Sequence, residues 1–287
     1  MADRPGRSFS VGSIRCTALL DGEALYEPQD LFSNASPDEW KPLVSDRLDP
    51  NGYLPVPYQP VLIEGAETTV LIDAGAGAEL AAEWEEPVGQ AVASLASLGI
   101  TPEAIQIVLI THAHPDHVGG LTTVTDGART PVFPNARHLI SSDEWRFWHL
   151  DVLPEPSSHM APVARIHLTT LREAGLLEPI DGEVELAAGV RTMPTPGHTP
   201  GHLSVAVSSE GENAIVAGDA ILTDASFGHP EWYAGAEVDP EQTAVTRASL
   251  LDRVAREDAV VTAFHAHGIG RVRVRDRAFA LEQILLD

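Results

Sequence analysis

The segment Thr111-His112-Ala113-His114-Pro115-Asp116-His117-Val118-Gly119-Gly120 holds three imidazoles and one carboxylate within six positions, directly after the apolar run Ile105-Gln106-Ile107-Val108-Leu109-Ile110. Imidazole suits zinc and its neighbours in the transition series, and a carboxylate beside three imidazoles suits a second ion close to the first. Side chains two apart on an extended segment project the same way, so His112 and His114 are placed to converge on one ion. Asp116 and His117 lie beyond Pro115, where the chain must turn, and offer a second pair of ligands to a neighbouring position. Gly119 and Gly120 let the backbone pass close by without a side-chain clash.

A binuclear site needs further ligands, and three later stretches offer them: Thr195-Pro196-Gly197-His198-Thr199-Pro200-Gly201-His202, Ala217-Gly218-Asp219, and Ala263-Phe264-His265-Ala266-His267-Gly268. Apolar, strand-like runs precede Asp219 (Ile215-Val216-Ala217) and His265 (Ala259-Val260-Val261). Ligands at the ends of strands on several segments are what an α/β scaffold uses to build a site. His202, four after His198 in the same loop, reads as a hydrogen-bonding support rather than a ligand. His265 and His267 compete for the last ligand position; His265 is favoured because it follows the apolar run more closely.

These ligands need elements to hold them. Strands are expected over residues 11–20, 61–73, 105–111, 137–140, 183–187, 190–193, 203–208 and 213–217, with a turn at Glu64-Gly65-Ala66-Glu67 and a further alternating run from Arg271 to Arg275. Helices are expected at 88–98, capped by Gly99; at Ser141 to Leu150; around 162–174; and at 239–256, where Asp239-Pro240-Glu241 marks the start. Trp145, Phe147 and Trp148 could line a substrate cleft or pack on the core. Asp49-Pro50-Asn51-Gly52-Tyr53-Leu54-Pro55-Val56-Pro57-Tyr58 reads as a loop. No linker or shift in composition divides the chain, so residues 1–287 are expected to form one domain, with residues 1–9 a flexible N-terminus.

Composition narrows the function. With 18 basic against 42 acidic residues the formal charge is −24, which repels phosphate backbones and argues against nucleic acid as a partner. Cys16 is the only cysteine, so neither an intramolecular disulfide nor a thiolate cluster is available and any metal must be held by His and carboxylate. No apolar run is long enough to span a bilayer and no signal sequence is evident, so a cytoplasmic enzyme acting on a small molecule is expected, without membrane partners; a homodimer stays open.

The motif HxHxDH followed by His198, Asp219 and a late His resembles the metallo-β-lactamase superfamily over roughly residues 10 to 275. That resemblance implies an α/β four-layer αββα sandwich. It implies that His112, His114 and His198 hold one divalent ion, that Asp116, His117 and His265 hold the other, and that Asp219 bridges them. Zinc is the expected metal, and a hydroxide shared by the two ions the expected nucleophile, with Asp116 and Asp219 in catalytic roles. His229-Pro230-Glu231-Trp232, Asp239-Pro240-Glu241-Gln242-Thr243-Ala244 and Ser142-Asp143-Glu144-Trp145 are similar to the branch of methyl parathion hydrolase and the quorum-quenching lactonases, which implies hydrolysis of lactones, esters or phosphotriesters. One departure is Leu222, three residues after Asp219, where lactonases of this branch commonly carry a tyrosine. A glyoxalase-II-type thioesterase, a mononuclear iron dioxygenase and a non-catalytic metal protein are the rival expectations.

Overall fold

Apolar residues alternate so regularly in the central strands that each divides its side chains between two hydrophobic layers. In a computed structural model, which describes residues 6–65, 68–275 and 278–286, Val61, Ile63, Val70, Ile72, Ile107 and Leu109 point into one buried cluster. Their neighbours Leu62, Leu71, Val108 and Ile110 point into another. The first cluster also takes Val205, Val207, Ala214, Val216 and Val260 from a second sheet, so it is the layer between two sheets.

One sheet orders its strands as Gly6–Val11, Ile14–Leu19, Val61–Glu64, Thr69–Ile72, Ile107–Ile110, Arg137–Ser141 and Leu177–Ile180. The last four run parallel to one another. The other sheet runs Glu185–Ala187, Val190–Pro194, Leu203–Ser209, Glu212–Val216, Val260–Thr262, Gly270–Arg275 and Ala278–Gln283, with one parallel pair, Glu212–Val216 beside Val260–Thr262. Helices Ala91–Ser97, Ser142–Trp148 and Ser157–Glu173 bury Leu95, Trp148 and Leu168 against the outer face of the first sheet. Helix Pro240–Arg256 buries Leu250, Leu251 and Val254 against the outer face of the second. The order of layers is α, β, β, α. No described helix is long and apolar enough to cross a membrane.

The structure departs from the sequence expectations in three places. Residues 6–9 are not a loose end: Gly6–Val11 pairs antiparallel with Ile14–Leu19 through a turn at Gly12 and Ser13, and Phe9 and Val11 are buried between the sheets. Residues 1–5 lie outside the described residues, as do Ala66 and Glu67 of the expected turn. Leu54–Tyr58, expected as loop, is a strand pairing, among the described residues, only with Gly22–Tyr26. Prolines are tolerated on such an isolated ribbon at alternate positions whose missing N–H groups face away from the partner, and Pro55 and Pro57 are two apart. The helix expected from 162 begins at Ser157, so Pro162 sits inside it, in the second turn, where one backbone hydrogen bond is forgone. Burial of Ala161, Ala164, Leu168 and Leu171 along one face sustains it.

Candidate metal centre

Strand ends of both sheets meet at one edge of the sandwich. The strand Ile107–Ile110 delivers His112, His114, Asp116 and His117 on the turn and short helix that follow. Strand Glu212–Val216 delivers Asp219 on the one-turn helix Gly218–Ala220, and Val260–Thr262 delivers His265. His198 comes from the loop between Val190–Pro194 and Leu203–Ser209. A hydrogen bond from Leu203 N to Thr111 O, 2.9 Å, ties that loop to the first sheet. The close passage read from Gly119 and Gly120 is present: a Cβ on either would stand 2.0–2.1 Å from the carbonyl oxygens of Ala76 and Ala74.

The seven expected residues come together as two groups. Ligand atoms of His112, His114, His198 and Asp219 lie within 4.8 Å of one another, and so do those of Asp116, His117 and His265. Asp219 belongs to both neighbourhoods, because its Oδ2 lies 3.3 Å from His198 Nε2, 3.8 Å from His112 Nε2, 3.5 Å from His117 Nε2 and 3.4 Å from His265 Nε2. Asp116 Oδ2 is 3.1 Å from His265 Nε2 and 3.6 Å from His117 Nε2. Of the competing pair only His265 joins the cluster. His267 turns toward Glu23, Arg47 and Asp224.

In four of the five rings the far nitrogen has a partner that leaves the near one free, His114 Nε2 being buried without one. His117 Nδ1 pairs with Asp73 Oδ2 at 2.8 Å, His198 Nδ1 with Glu237 Oε2 at 3.2 Å, His112 Nδ1 with Thr111 Oγ1 at 3.0 Å and His265 Nδ1 with Pro57 O at 3.1 Å. Such partners fix the tautomer and aim the other nitrogen. His202 supports the site rather than entering it, accepting the Asp219 N–H at Nε2 and meeting Thr195 Oγ1 at Nδ1.

The donor set fits divalent cations. His114 Nδ1 lies 2.9 Å from both His112 Nε2 and His198 Nε2, yet it carries at most one proton, so these rings cannot all hydrogen-bond to each other. His117 Nε2 and Asp219 Oδ1 are buried without a hydrogen-bond partner. Around them Asp73, Asp116, Glu144, Asp219 and Glu237 are buried, while among the described residues Arg247 is the only buried Arg or Lys, and it is taken by Glu237 at 3.0 Å. Converging lone pairs with excess buried negative charge call for cations.

Where protons are the only counter-charge, burial would lower the basicity of His265, but Asp219 and Asp116 outweigh it and hold that imidazole at about 9. His198 reaches about 9 in the same way, burial being overcome by Glu237 and Asp219. Both values lie above the unfolded imidazole value of about 6.5. The stabilisation they provide is therefore complete below about pH 6.5 and is lost as pH rises through about 9. Metal affinity has the opposite sign, since ligands must shed protons to bind. Chelator-treated protein is accordingly expected to melt at lower temperature at pH 9 than at pH 6.5, whereas stabilisation by added zinc should grow over the same interval. Paired thermal melts across that range test this, and parallel pH profiles with and without metal would refute it.

Sequence reasoning missed the carboxylates behind the ligands. Asp73 stands at the end of strand Thr69–Ile72, the same signal that marked Asp219, and it accepts from Thr111 N and Thr111 Oγ1 besides meeting His117. Glu144 stands out in the sequence only as part of the stretch Ser142-Asp143-Glu144-Trp145 and not as a partner of the ligand loops. Glu237 carries no sequence signal at all.

Residues 55–267 match the Metallo-beta-lactamase superfamily. The chain belongs to that superfamily. The N-acyl homoserine lactonase AiiA of Bacillus thuringiensis subsp. kurstaki is 25% identical to it over 244 residues, which cover 79% of this chain and 87% of AiiA. AidC, a dizinc quorum-quenching lactonase solved in complex with a product, superposes with a TM-score of 0.87 at 25% identity over 99% of each chain. AbOPH, a hydrolase of the β-lactamase superfamily, superposes at 0.88 with 24% identity over the whole of both chains, a likeness of fold. This metallo-β-lactamase superfamily member is a metal-dependent hydrolase, and its two His/Asp groups suit two divalent ions.

Proposed function

We propose that this chain is a dizinc hydrolase of uncharged lactones, esters or phosphotriesters. One observation carries the choice of substrate. His114, Asp116, His198, Asp219 and His265 line a cavity of about 520 Å³ whose other walls are mainly apolar, among them Leu31, Val56, Met160 and Leu222, and no Lys or Arg is among the described residues lining it. An anionic substrate, such as a glutathione thioester, would enter that space without a cation to receive its carboxylates. The lactonase relatives are consistent with a small uncharged substrate.

In this reading His112, His114 and His198 hold one ion, Asp116, His117 and His265 the other, and Asp219 spans both. Bound divalent ions supply Lewis acidity at the carbonyl or phosphoryl oxygen and make hydroxide accessible from water near neutral pH. The chain supplies placement. Asp219, fixed from behind by His202, holds the two imidazole groups at a constant separation. Asp116 lies on the cavity wall, where it can accept a proton and pass it to a leaving oxygen. Apolar walls exclude bulk water and strengthen each electrostatic contact inside.

The test is metal analysis of zinc-loaded protein together with turnover of lactones, aryl esters and phosphotriesters. Two equivalents and hydrolysis are expected; one equivalent with no turnover on any of the three would overturn the reading. Within the same assay His265→Ala should lose about one equivalent and most activity. His267→Ala, outside the cluster, should stay within about 10- to 100-fold of the parent. A reversed ranking would move the ligand role to His267.

A further inference from the structure

Two lining residues bring a neutral hydrogen-bond donor to the cavity, Tyr26 and Trp84; the remaining polar lining side chains are the ligand cluster itself and Asp30. Trp84 closes a short helix and is 36% exposed. Tyr26 instead ends the strand Gly22–Tyr26, whose register with Leu54–Tyr58 pairs Gly22 with Tyr58 and Tyr26 with Leu54. Both tyrosines therefore stand on one face of this ribbon, at opposite ends, and their hydroxyls meet. The ring of Tyr58 lies edge-on to His265 with centroids 5.1 Å apart, so the hydroxyl pair sits at the ligand end of the cavity.

The proton inventory of this pair has one consistent solution. Tyr58 is 1% exposed, and its hydroxyl has no hydrogen-bond partner among the described residues other than Tyr26. A buried hydroxyl that does not donate is left unsatisfied, so Tyr58 donates to Tyr26. Tyr26 then accepts with its oxygen, and its own proton is free for the cavity. Leu222, on the same cavity, has no proton to give.

We propose that Tyr26 is a catalytic residue whose hydroxyl, oriented by Tyr58, donates a hydrogen bond to the carbonyl or phosphoryl oxygen of the substrate as negative charge develops there. This rests on the hydrolase reading above. No proton is transferred: burial, reinforced by the Asp116 carboxylate, holds the Tyr26 phenol well above its usual range, so it remains a donor throughout the working pH range. Tyr58 acts through Tyr26 and is a positioning residue.

The experiment compares zinc-loaded parent, Tyr26→Phe and Tyr58→Phe by hydrolysis of a neutral γ-lactone and by calorimetric binding of the matching γ-lactam, which is not turned over. Tyr26→Phe should lower kcat by about 10²- to 10³-fold, the loss seen when one oxyanion donor is removed. KM should stay within a few-fold, because the bond strengthens only as charge develops. Tyr58→Phe should give a smaller loss, about 10-fold, and the lactam should bind several-fold more weakly to Tyr26→Phe. Metal content and melting temperature should be unchanged in both. Unchanged kcat and lactam affinity in Tyr26→Phe would overturn the proposal. So would equal losses in the two variants that track a fall in metal content or melting temperature, which would assign the pair to structure. Lactam binding that depends on Tyr26 in a parent that hydrolyses no lactone, aryl ester or phosphotriester would refute the hydrolase reading while leaving the donor in place; a parent that neither binds the lactam nor hydrolyses any of these probes would refute both.

Discussion

Asp219→Ala is expected to lower kcat/KM by at least about 10³-fold, equivalent to several kcal/mol of transition-state stabilisation, and to reduce bound metal below two equivalents per chain. The size of the effect follows from position. A single oxygen, Asp219 Oδ2, lies 3.3–3.8 Å from imidazole nitrogens of His112, His117, His198 and His265, so its removal acts on both groups together. His198 and His265 also owe part of their basicity to this carboxylate, and loss of it lets burial lower both. Asp219→Asn keeps the volume but not the charge and should rank between alanine and parent in metal content. The measurement is metal stoichiometry beside lactone or ester turnover with metal in excess. Unchanged turnover in Asp219→Ala would falsify a mechanism that needs two ions.

A second large effect is expected at a residue that does not itself line the cavity. Glu144 is fully buried and accepts four hydrogen bonds: from Ala113 N (2.9 Å), Trp148 Nε1 (2.6 Å), Thr199 Oγ1 (2.6 Å) and Gly201 N (3.1 Å). Ala113 separates His112 from His114, and Thr199 follows His198, so one carboxylate fixes the loops bearing three of the ligands. Burial pushes its pKa up and the four donors oppose that shift. Glu144→Leu leaves all four donors without an acceptor at about 1–3 kcal/mol each, so a loss of about 4 kcal/mol or more is expected, together with weakened zinc binding. In a chain of this size that corresponds to a fall of about 10 °C in melting temperature. Glu144→Gln retains one acceptor oxygen and should fall between. A melting temperature for Glu144→Leu within about 2 °C of the parent would show that the loops are held by something else.

What the sequence made legible was whatever is written contiguously. Three histidines and an aspartate in one turn declare themselves by spacing, and Asp219 and His265 by following apolar strands. The period-2 alternation that sends Val61 and Ile63 one way and Leu62 the other is equally local, and the two-sheet core follows from it. Residues whose role depends on a distant partner gave no such sign. Glu237 matters because the fold carries it to His198 and Arg247, and nothing in its own neighbourhood distinguishes it among 42 acids. The pairing of Tyr26 with Tyr58 likewise exists only once Gly22–Tyr26 meets Leu54–Tyr58, a strand that its prolines disguised as a loop.

Neither sheet owns a complete set of ligands. The first contributes His112, His114, Asp116 and His117, and the second His198, Asp219 and His265. At the opposite end of strand Leu203–Ser209, about 20 Å away for seven residues at about 3.3 Å each, the sheets are joined by the backbone N–H groups of Gly12 and Ser13, which donate to the side chains of Glu212 and Ser209, and by a bond between the Ser13 and Ser209 hydroxyls. The sandwich is thus held at one end by these hydrogen bonds and at the other by two His/Asp groups that suit divalent ions. Metal affinity in such an arrangement reads out how well two halves of one chain have docked, so a substitution deep between the sheets, touching no ligand, can present as a metal-binding defect.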